Sequence, residues 1–572
     1  MPTKVYKLKI AGQAGQGIKS SGLTFARFAT RSGFNIYNYF EYPSLIRGGH
    51  NVMQINISDG EVSGPSKLTD FLVALNQESI HKHKNSLSEG AFVLYDGASK
   101  IKVESLPNSV KLLSVPLSKM AHEIGGQDIL INMVALGVVA GMMQGDMTVL
   151  QTLVEEEYHD KPEILKADIL AIEHGYKYAQ ENFKDLIESC FKLQNHKKES
   201  RMILNGSDSV SLAAVASGLQ FSAIYPMSPI TGVLSNLAKL QTEFKFIFKQ
   251  PEDEISAIVM AIGASFAGAR SMTATSGGGF CLMTEGYGLA GITETPLVII
   301  EGMRPGPATG LPTWNSQGDL LFVLNAHQDE FPRLVLAAGD LTEAFYMTME
   351  AFYLADKYQT PVVVLLDKNI LEHEQSVPKF DISDYRIDRG KMTTEFSPEF
   401  KRFLITEDGI SPRTIPGVGN FFIANSDEHD EKGFSNEEIE NRNNQMNKRM
   451  RKLQTFIKND LPKPTIYGNE NADLTIVSWG SNKGSIIQAL GEYTNVNYVH
   501  LTWMNPFPVD EIINILKNAK KLVILECNYS GQLAILIRQH TGIDITDKIL
   551  KFDGRPFFVE DIKDIINERL KK

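Results

Sequence analysis

Between Tyr225 and Asp319 short apolar runs alternate with glycine- and alanine-rich stretches, and each run ends in a turn of different chemistry. The segment opens with Tyr225-Pro226-Met227-Ser228-Pro229-Ile230-Thr231 and passes through Gln250-Pro251-Glu252-Asp253-Glu254. It continues with Thr275-Ser276-Gly277-Gly278-Gly279 and the apolar run Leu297 to Ile300, which leads to Arg304, and it closes on Gln317-Gly318-Asp319. Runs this short, separated by helical patterns, predict strands and helices in alternation and therefore a parallel sheet. In open α/β sheets ligands sit outside the carboxyl ends of the strands. Those ends here carry a hydroxyl loop, an acidic helix start, a glycine cradle and an arginine.

A chain of 572 residues has room for about three or four such units at roughly 150 residues each. Its net charge of −11 argues against a general nucleic-acid binder, which needs clustered Lys and Arg to neutralise phosphates. The one basic cluster, Arg442 to Lys458, reads as a solvated helix face. The longest apolar run, Ile131 to Met143, is well short of the ~18 residues a membrane span requires. The chain enters a strand at Val5 without a signal-peptide apolar region, so a cytoplasmic protein without membrane or nucleic-acid partners is expected. Three scattered cysteines, Cys190, Cys281 and Cys527, cannot supply the four thiolates of an ordinary iron–sulfur cluster and read as free thiols.

In chain order the sequence predicts a first α/β domain over residues 1–185 and a polar linker over 186–200. A second α/β domain covers 201–390, a polar irregular connection 391–455 and a third α/β domain 456–572. Gly12-Gln13-Ala14-Gly15-Gln16-Gly17 follows the first strand. Its glycine order is not the dinucleotide fingerprint G-x-G-x-x-G, so tight strand–helix packing is its simpler reading. Asp427-Glu428-His429-Asp430-Glu431 has metal-ligating residue types, but reads first as a solvated acidic loop. Pro361 to Leu366 has the length and β-branching of a fully buried strand.

Taken together, these motifs resemble the alpha subunit of the 2-oxoacid:ferredoxin oxidoreductases in the form with a gamma domain fused at its N-terminus. Gly12 to Gly17, Arg47-Gly48-Gly49 and Asn132-Met133-Val134-Ala135-Leu136-Gly137 resemble the gamma domain. Tyr225-Pro226-Met227-Ser228-Pro229 resembles the family's Tyr-Pro-Ile-Thr-Pro signature, with Ser228 in place of threonine. Glu254, Arg304 and Gly310-Leu311-Pro312-Thr313 follow at family-like spacing. In the C-terminal half the matching motifs are Glu407 to Arg413, Asp427 to Gly433, Asn505-Pro506-Phe507-Pro508, Glu526 to Gln532 and Asp553-Gly554-Arg555-Pro556. The resemblance implies a Rossmann-like gamma domain, a thiamine-diphosphate pyrimidine-binding-type domain and a transketolase C-terminal-like domain.

It also implies an oxidoreductase, active only with a beta subunit. That enzyme decarboxylates a 2-oxoacid, with 2-oxoglutarate favoured and pyruvate or a broad range of 2-oxoacids as the alternative, forms an acyl-CoA and passes electrons to ferredoxin. The beta subunit would carry the diphosphate end of thiamine diphosphate, its magnesium and a 4Fe-4S cluster, in an alpha2-beta2 assembly. This sequence agrees with that division: it lacks a Gly-Asp-Gly magnesium-diphosphate turn and it lacks cluster cysteines.

By the same resemblance Glu254 is the catalytic carboxyl, hydrogen-bonded to the aminopyrimidine ring. Read by itself, it is also what any helix start prefers, with Pro251, Glu252 and Asp253 before it. Arg304 offers a planar fork for the substrate carboxylate, or else an ordinary surface ion pair. Ser228 would hydrogen-bond the substrate, and Tyr225 would line its site. Ser276, Gly277 and Gly278 would let backbone approach the pyrimidine. Asp319 and Asn528 have no role assignable from sequence. Two other classes fit parts of the chain, namely an inactive scaffold subunit and a nicotinamide-dependent dehydrogenase built on the first glycine turn.

Overall fold

The computed structural model describes residues 4–44, 48–125, 128–193 and 200–571. Arg47 and most of the expected linker's polar end, 194–199, lie outside the described residues. The chain divides into two compact units, one of 1–204 with 373–379 and 558–565, the other of 205–372 with 380–557 and 566–572.

The first unit is built on an eight-stranded sheet. Its spatial order is Lys111–Val115, Leu87–Asp96, Thr69–Ala74, Val5–Gln13, His50–Ser58, Asn35–Glu41, Glu374–Pro378 and Arg201–Asn205. Its first four strands are parallel, joined by crossovers long enough for parallel pairing, although the one over 97–110 holds no helix. From Val5–Gln13 onward the sheet turns antiparallel through His50–Ser58, Asn35–Glu41 and Glu374–Pro378. The stretch between Glu41 and His50 is too short for a helical crossover, which leaves antiparallel pairing as the available solution.

The apolar run that begins at Ile131 is a buried helix, Ile131–Met142, pressed onto Pro162–Asn182. A Cβ at Gly137 would lie 2.1 Å from the Ile172 carbonyl oxygen, and one at Gly175 would lie 2.1 Å from that of Val134. Among the described residues no helix is long and apolar enough to cross a membrane. In the first glycine turn Gly17 adopts φ 69°, and the Asn132 amide occupies the space its side chain would need, donating to the Gly17 carbonyl at 3.3 Å. The space beside Gly17 is therefore filled by protein, while Gly15 faces open space.

The second unit holds two sheets. The larger has the order Trp503–Asn505, Leu334–Ala337, Pro361–Asp367, Leu297–Met303, Ser271–Thr275, Phe221–Ala223 and Ile247–Lys249, parallel except for its first strand. The smaller runs Thr465–Gly468, Val496–Leu501, Leu474–Trp479, Leu522–Glu526 and Lys548–Leu550, parallel except at Thr465–Gly468. One apolar core serves both, with Ile299 and Leu365 in the same cluster as Trp479, Val499 and Ile524.

The polar connection does not behave as its composition suggests. Its charged helix, Ile439–Asn459, buries Lys448, Arg449 and Lys452, so the expected solvated helix face is overturned. Lys448 and Lys452 both pair with Glu294, the second at 2.6 Å, and Arg402 donates to the Glu294 carbonyl at 2.7 Å. Arg449 and Arg442 pair with Glu428, while the neighbouring His429 is fully buried against Phe403. The expected solvated loop is thus a packed ionic corner, and among the described residues no His/Cys/Asp/Glu cluster could hold a metal.

Further along, Arg413 and Arg270 meet buried Asp356 at 2.6 and 3.2 Å, and Gln359 donates to the Ser411 carbonyl. Arg270, Gln359 and Glu294 lie one, two and three residues before strands of the larger sheet. The connection therefore closes the amino ends of those strands and leaves their carboxyl ends to the site.

Burial pushes the Glu294 carboxyl up, but Lys448, Lys452 and Arg402 overcome this and hold it well below the usual carboxylate range. Burial, with the neighbouring cations adding to it, outweighs the pull of Glu294 and lowers Lys448 to about 7 and Lys452 to about 8. Removing the single anion strands those cations in apolar surroundings. Glu294→Gln is therefore expected to cost about 3–5 kcal/mol of stability, read as a lower denaturation midpoint of the second unit. A midpoint within experimental error of wild type would show that the cluster is not buried as described.

Candidate active site

Four segments meet at the carboxyl ends of the larger sheet. Strand Ser271–Thr275 runs into Ser276, which starts the helix Gly277–Ile292. Opposite it stands the helix Glu254–Phe266, begun by Asp253, whose carboxylate accepts the Ser256 N–H at 2.8 Å. The cap thus falls to Asp253, which frees Glu254 to turn inward. Glu254 is only 3% exposed.

Its berth is made by a missing side chain. A Cβ at Gly279 would lie 2.6 Å from Glu254 Oε1, 2.7 Å from its Cγ and 2.1 Å from Thr275 Oγ1. The small residues along the Glu254 helix promise close packing in the sequence. Gly263 on that helix nevertheless faces open space, and the close approaches come from Gly279 and Gly286 on the opposing one. Glu254 Oε1 and Ser276 Oγ are both buried without a hydrogen-bond partner. Such orphaned atoms normally cost about 1–3 kcal/mol each, so their concentration at one helix start marks a place for polar ligand atoms.

The other sequence-predicted residues converge on the same spot. Gly278 is exposed, and a Cβ there would meet only Met227 Sδ at 3.9 Å among its near neighbours. The Tyr225 to Pro229 loop therefore faces the glycine cradle. Tyr225 and Ser228 are half-buried within it, and the Ser228–Pro229 peptide is cis. Arg304 Nη1 donates to the Ser228 carbonyl at 2.7 Å, so its guanidinium braces this loop instead of forming the surface ion pair considered above. The exposed side chains of Ile255, Val259, Met260, Leu282 and Leu311 lie on the segments that frame this site.

Two known domain families match the chain. "Pyruvate ferredoxin/flavodoxin oxidoreductase" covers residues 7–178, and "Pyruvate flavodoxin/ferredoxin oxidoreductase, thiamine diP-bdg" covers residues 212–448. A 2-oxoacid:ferredoxin oxidoreductase subunit alpha from Sulfolobus is 31% identical over 98% of this chain and 96% of its own length. The chain belongs to that family of alpha subunits.

The 2-oxoglutarate oxidoreductase subunit KorA of Mycobacterium tuberculosis is 27% identical over 98% of this chain and 91% of its own. A solved 2-oxoglutarate:ferredoxin oxidoreductase from Magnetococcus marinus, described with 2-oxoglutarate, coenzyme A and succinyl-CoA bound, superposes with a TM-score of 0.91. It is 30% identical and covers 99% of this chain and all of that one. This alpha subunit is thus part of an oxidoreductase, works with a partner subunit, and contains a domain of the thiamine-diphosphate-binding type.

Two acids of the alpha-subunit site carry no assignment in the sequence. Glu301, at the carboxyl end of strand Leu297–Met303, is fully buried, and an acid closing an otherwise apolar strand is the signal that could have exposed it. Asp319 fills the space beside Gly277, where a Cβ would lie 2.5 Å from Asp319 Oδ2. It is held there by the C-terminal motif. Gln317 exchanges backbone and side-chain hydrogen bonds with Cys527 at 2.8 Å, and Asn528 and Gln532 donate to the Gln317 and Gly318 carbonyls. Asn528 is accordingly a clamp residue.

Gly279→Ala is expected to displace Glu254 by steric overlap, since Cβ atoms essentially never approach a neighbour this closely. The assembled enzyme should lose at least ~90% of its activity, in line with the ~10²-fold cost of misplacing a reacting group by about 1 Å, while circular dichroism stays unchanged. Retained activity would show that the placement of the Glu254 carboxyl does not matter to the reaction.

Proposed function

We propose that this chain supplies the pyrimidine-facing half of a shared thiamine diphosphate site in a 2-oxoacid:ferredoxin oxidoreductase. The partner beta subunit would hold the diphosphate, its magnesium and a 4Fe-4S cluster. The observation that carries this reading is Glu254 Oε1, a buried and unpartnered carboxyl oxygen seated against a glycine cradle. These residues fit the cofactor: Glu254 would accept a ring N–H of the pyrimidine, and Ser276, Gly277 and Gly278 would lie along its edge. When bound, the group supplies the electron sink that decarboxylation of a 2-oxoacid requires. Glu254 holds a proton-accepting oxygen at a fixed place in dry surroundings, as proton traffic there requires.

Arg304 would bind the 2-oxoacid carboxylate with its remaining donors, with Ser228 beside it and Tyr225 as a wall. The hydroxyl of Ser228 keeps the hydrogen bond that threonine gives the family, without the methyl. We take 2-oxoglutarate as the favoured substrate, with coenzyme A as co-substrate and ferredoxin as electron acceptor. The 2-oxoglutarate enzymes among the relatives, aligned over nearly the whole chain, support that choice. The exposed apolar residues Ile255, Val259, Met260 and Leu282 suit coverage by the partner in an alpha2-beta2 assembly. Three free thiols suit the reducing cytoplasm.

Glu254→Gln in the reconstituted pair is expected to abolish 2-oxoacid-dependent dye reduction while assembly persists. Arg304→Ala should raise the KM for the 2-oxoacid by tenfold or more, the worth of about 1.5–3 kcal/mol for a hydrogen bond to a charged group. Full turnover in the first variant, or unchanged kinetics in the second, would remove that residue from the site.

A further inference from the structure

The amino ends of the larger sheet hold more positive charge than the carboxylates beside them balance. Asp356 faces three guanidinium groups, Arg413 at 2.6 Å, Arg389 at 2.9 Å and Arg270 at 3.2 Å. Glu294 pairs with Lys448 and Lys452, and its backbone carbonyl accepts from Arg402. The lysines can relieve this excess by losing a proton, since burial brings Lys448 to about 7. Arginine keeps its charge at neutral pH, and a buried charge without a counterion is costly.

Two of these arginines line one small cavity. Arg402 and Arg413 form its polar wall with Ser265, and Phe266 and Phe403 are among its apolar neighbours. Arg402, Arg413 and Ser265 are only 4%, 5% and 2% exposed. Arg402 uses Nη2 on the Glu294 carbonyl, and Arg413 uses its Nη2 on Asp356. Arg402 Nη1, Arg413 Nε and Nη1, and Ser265 Oγ are buried without a hydrogen-bond partner. The obvious carbonyl acceptors nearby are taken, because Gly263, Ala264 and Ser265 already accept from Ala267, Ala269 and Gly268.

The cavity measures about 10 Å³, room for one occupant of about the size of a water molecule. Phosphate, sulfate and carboxylates are too large for it. A water molecule would meet the donors but leave the charge unbalanced. A single-atom anion does both.

We propose that this cavity is a binding site for one monatomic anion of the chloride class, held by Arg402, Arg413 and Ser265. The two arginines belong to the connection, and Ser265 lies in the last turn of the helix that begins with Glu254. The ion therefore ties the connection to the far end of that helix.

Thermal denaturation of the full chain reads the site when gluconate is exchanged for chloride or bromide at constant ionic strength. The midpoint should rise by about 2 °C or more and level off with increasing halide, as occupancy of a site does. Ser265→Val, which fills the cavity and removes the hydroxyl, should abolish that saturable rise. Arg402→Met should abolish it by removing one of the two charges. Crystals grown in bromide should show an anomalous peak between Arg402 and Arg413.

No saturable rise in the wild-type chain, a rise that survives in either variant, or water alone in the cavity of the bromide crystals overturns the proposal. A bromide peak seen only at molar concentration, without the rise in solution, marks an adventitious ion only and overturns it too. Should Arg402→Met fail to fold, Ser265→Val keeps both arginines and, with the bromide crystals, decides the matter.

Discussion

Two acidic side chains pressed against the first turn of one helix organise this molecule. Gly277 gives way to Asp319 and Gly279 gives way to Glu254. A methyl group at either position would collide with a carboxyl, so the glycine run acts as a mould for negative charge as well as a flexible turn. The helix start favours anions through its free N–H groups and dipole, which lowers the cost of bringing both acids so close. The elements around it serve to keep those acids from relaxing away.

That restraint comes from two directions. At the carboxyl ends of the strands, the segment through Gln317 is stitched to the loops after Trp479 and Glu526, so the smaller sheet holds the carboxyl edge of the larger one. Glu526 itself accepts the Leu533 and Ala534 N–H groups and so anchors the helix that brings Gln532 to Gly318. At the amino ends, the connection after residue 379 inserts arginines and lysines onto Asp356 and Glu294. A buried ion pair adds little net stability compared with apolar packing. Its directional demands nonetheless fix where a poorly structured segment must lie.

Much of this is legible in the sequence, for definite reasons. Alternating apolar runs and helical patterns give the sheets, whereas Glu254 and the cradle stand out only through the family resemblance, since proline and acids at a helix start are ordinary when read alone. Burial of charge is not legible. Lys448, Arg449 and Lys452 sit in a helix whose composition says surface, and their partners, Glu294 and Glu428, lie far away or in an acidic run that reads as solvated. The antiparallel half of the first sheet hides for a related reason, since strand direction depends on connection length and not on strand composition. Glu301 escapes notice because a single acid in an apolar strand acquires meaning only once the fold buries both of its carboxyl oxygens without a partner.

The uncovered side chains of Ile255, Val259 and Met260 carry a further consequence. They project from the same helix that turns Glu254 inward, so one element buries an acid on one side and exposes grease on the other. If the beta subunit covers this flank, as proposed above, a polypeptide synthesised without it would expose a sticky surface to water and tend to clump. Balanced co-production of the two chains then becomes a condition for solubility as well as for turnover.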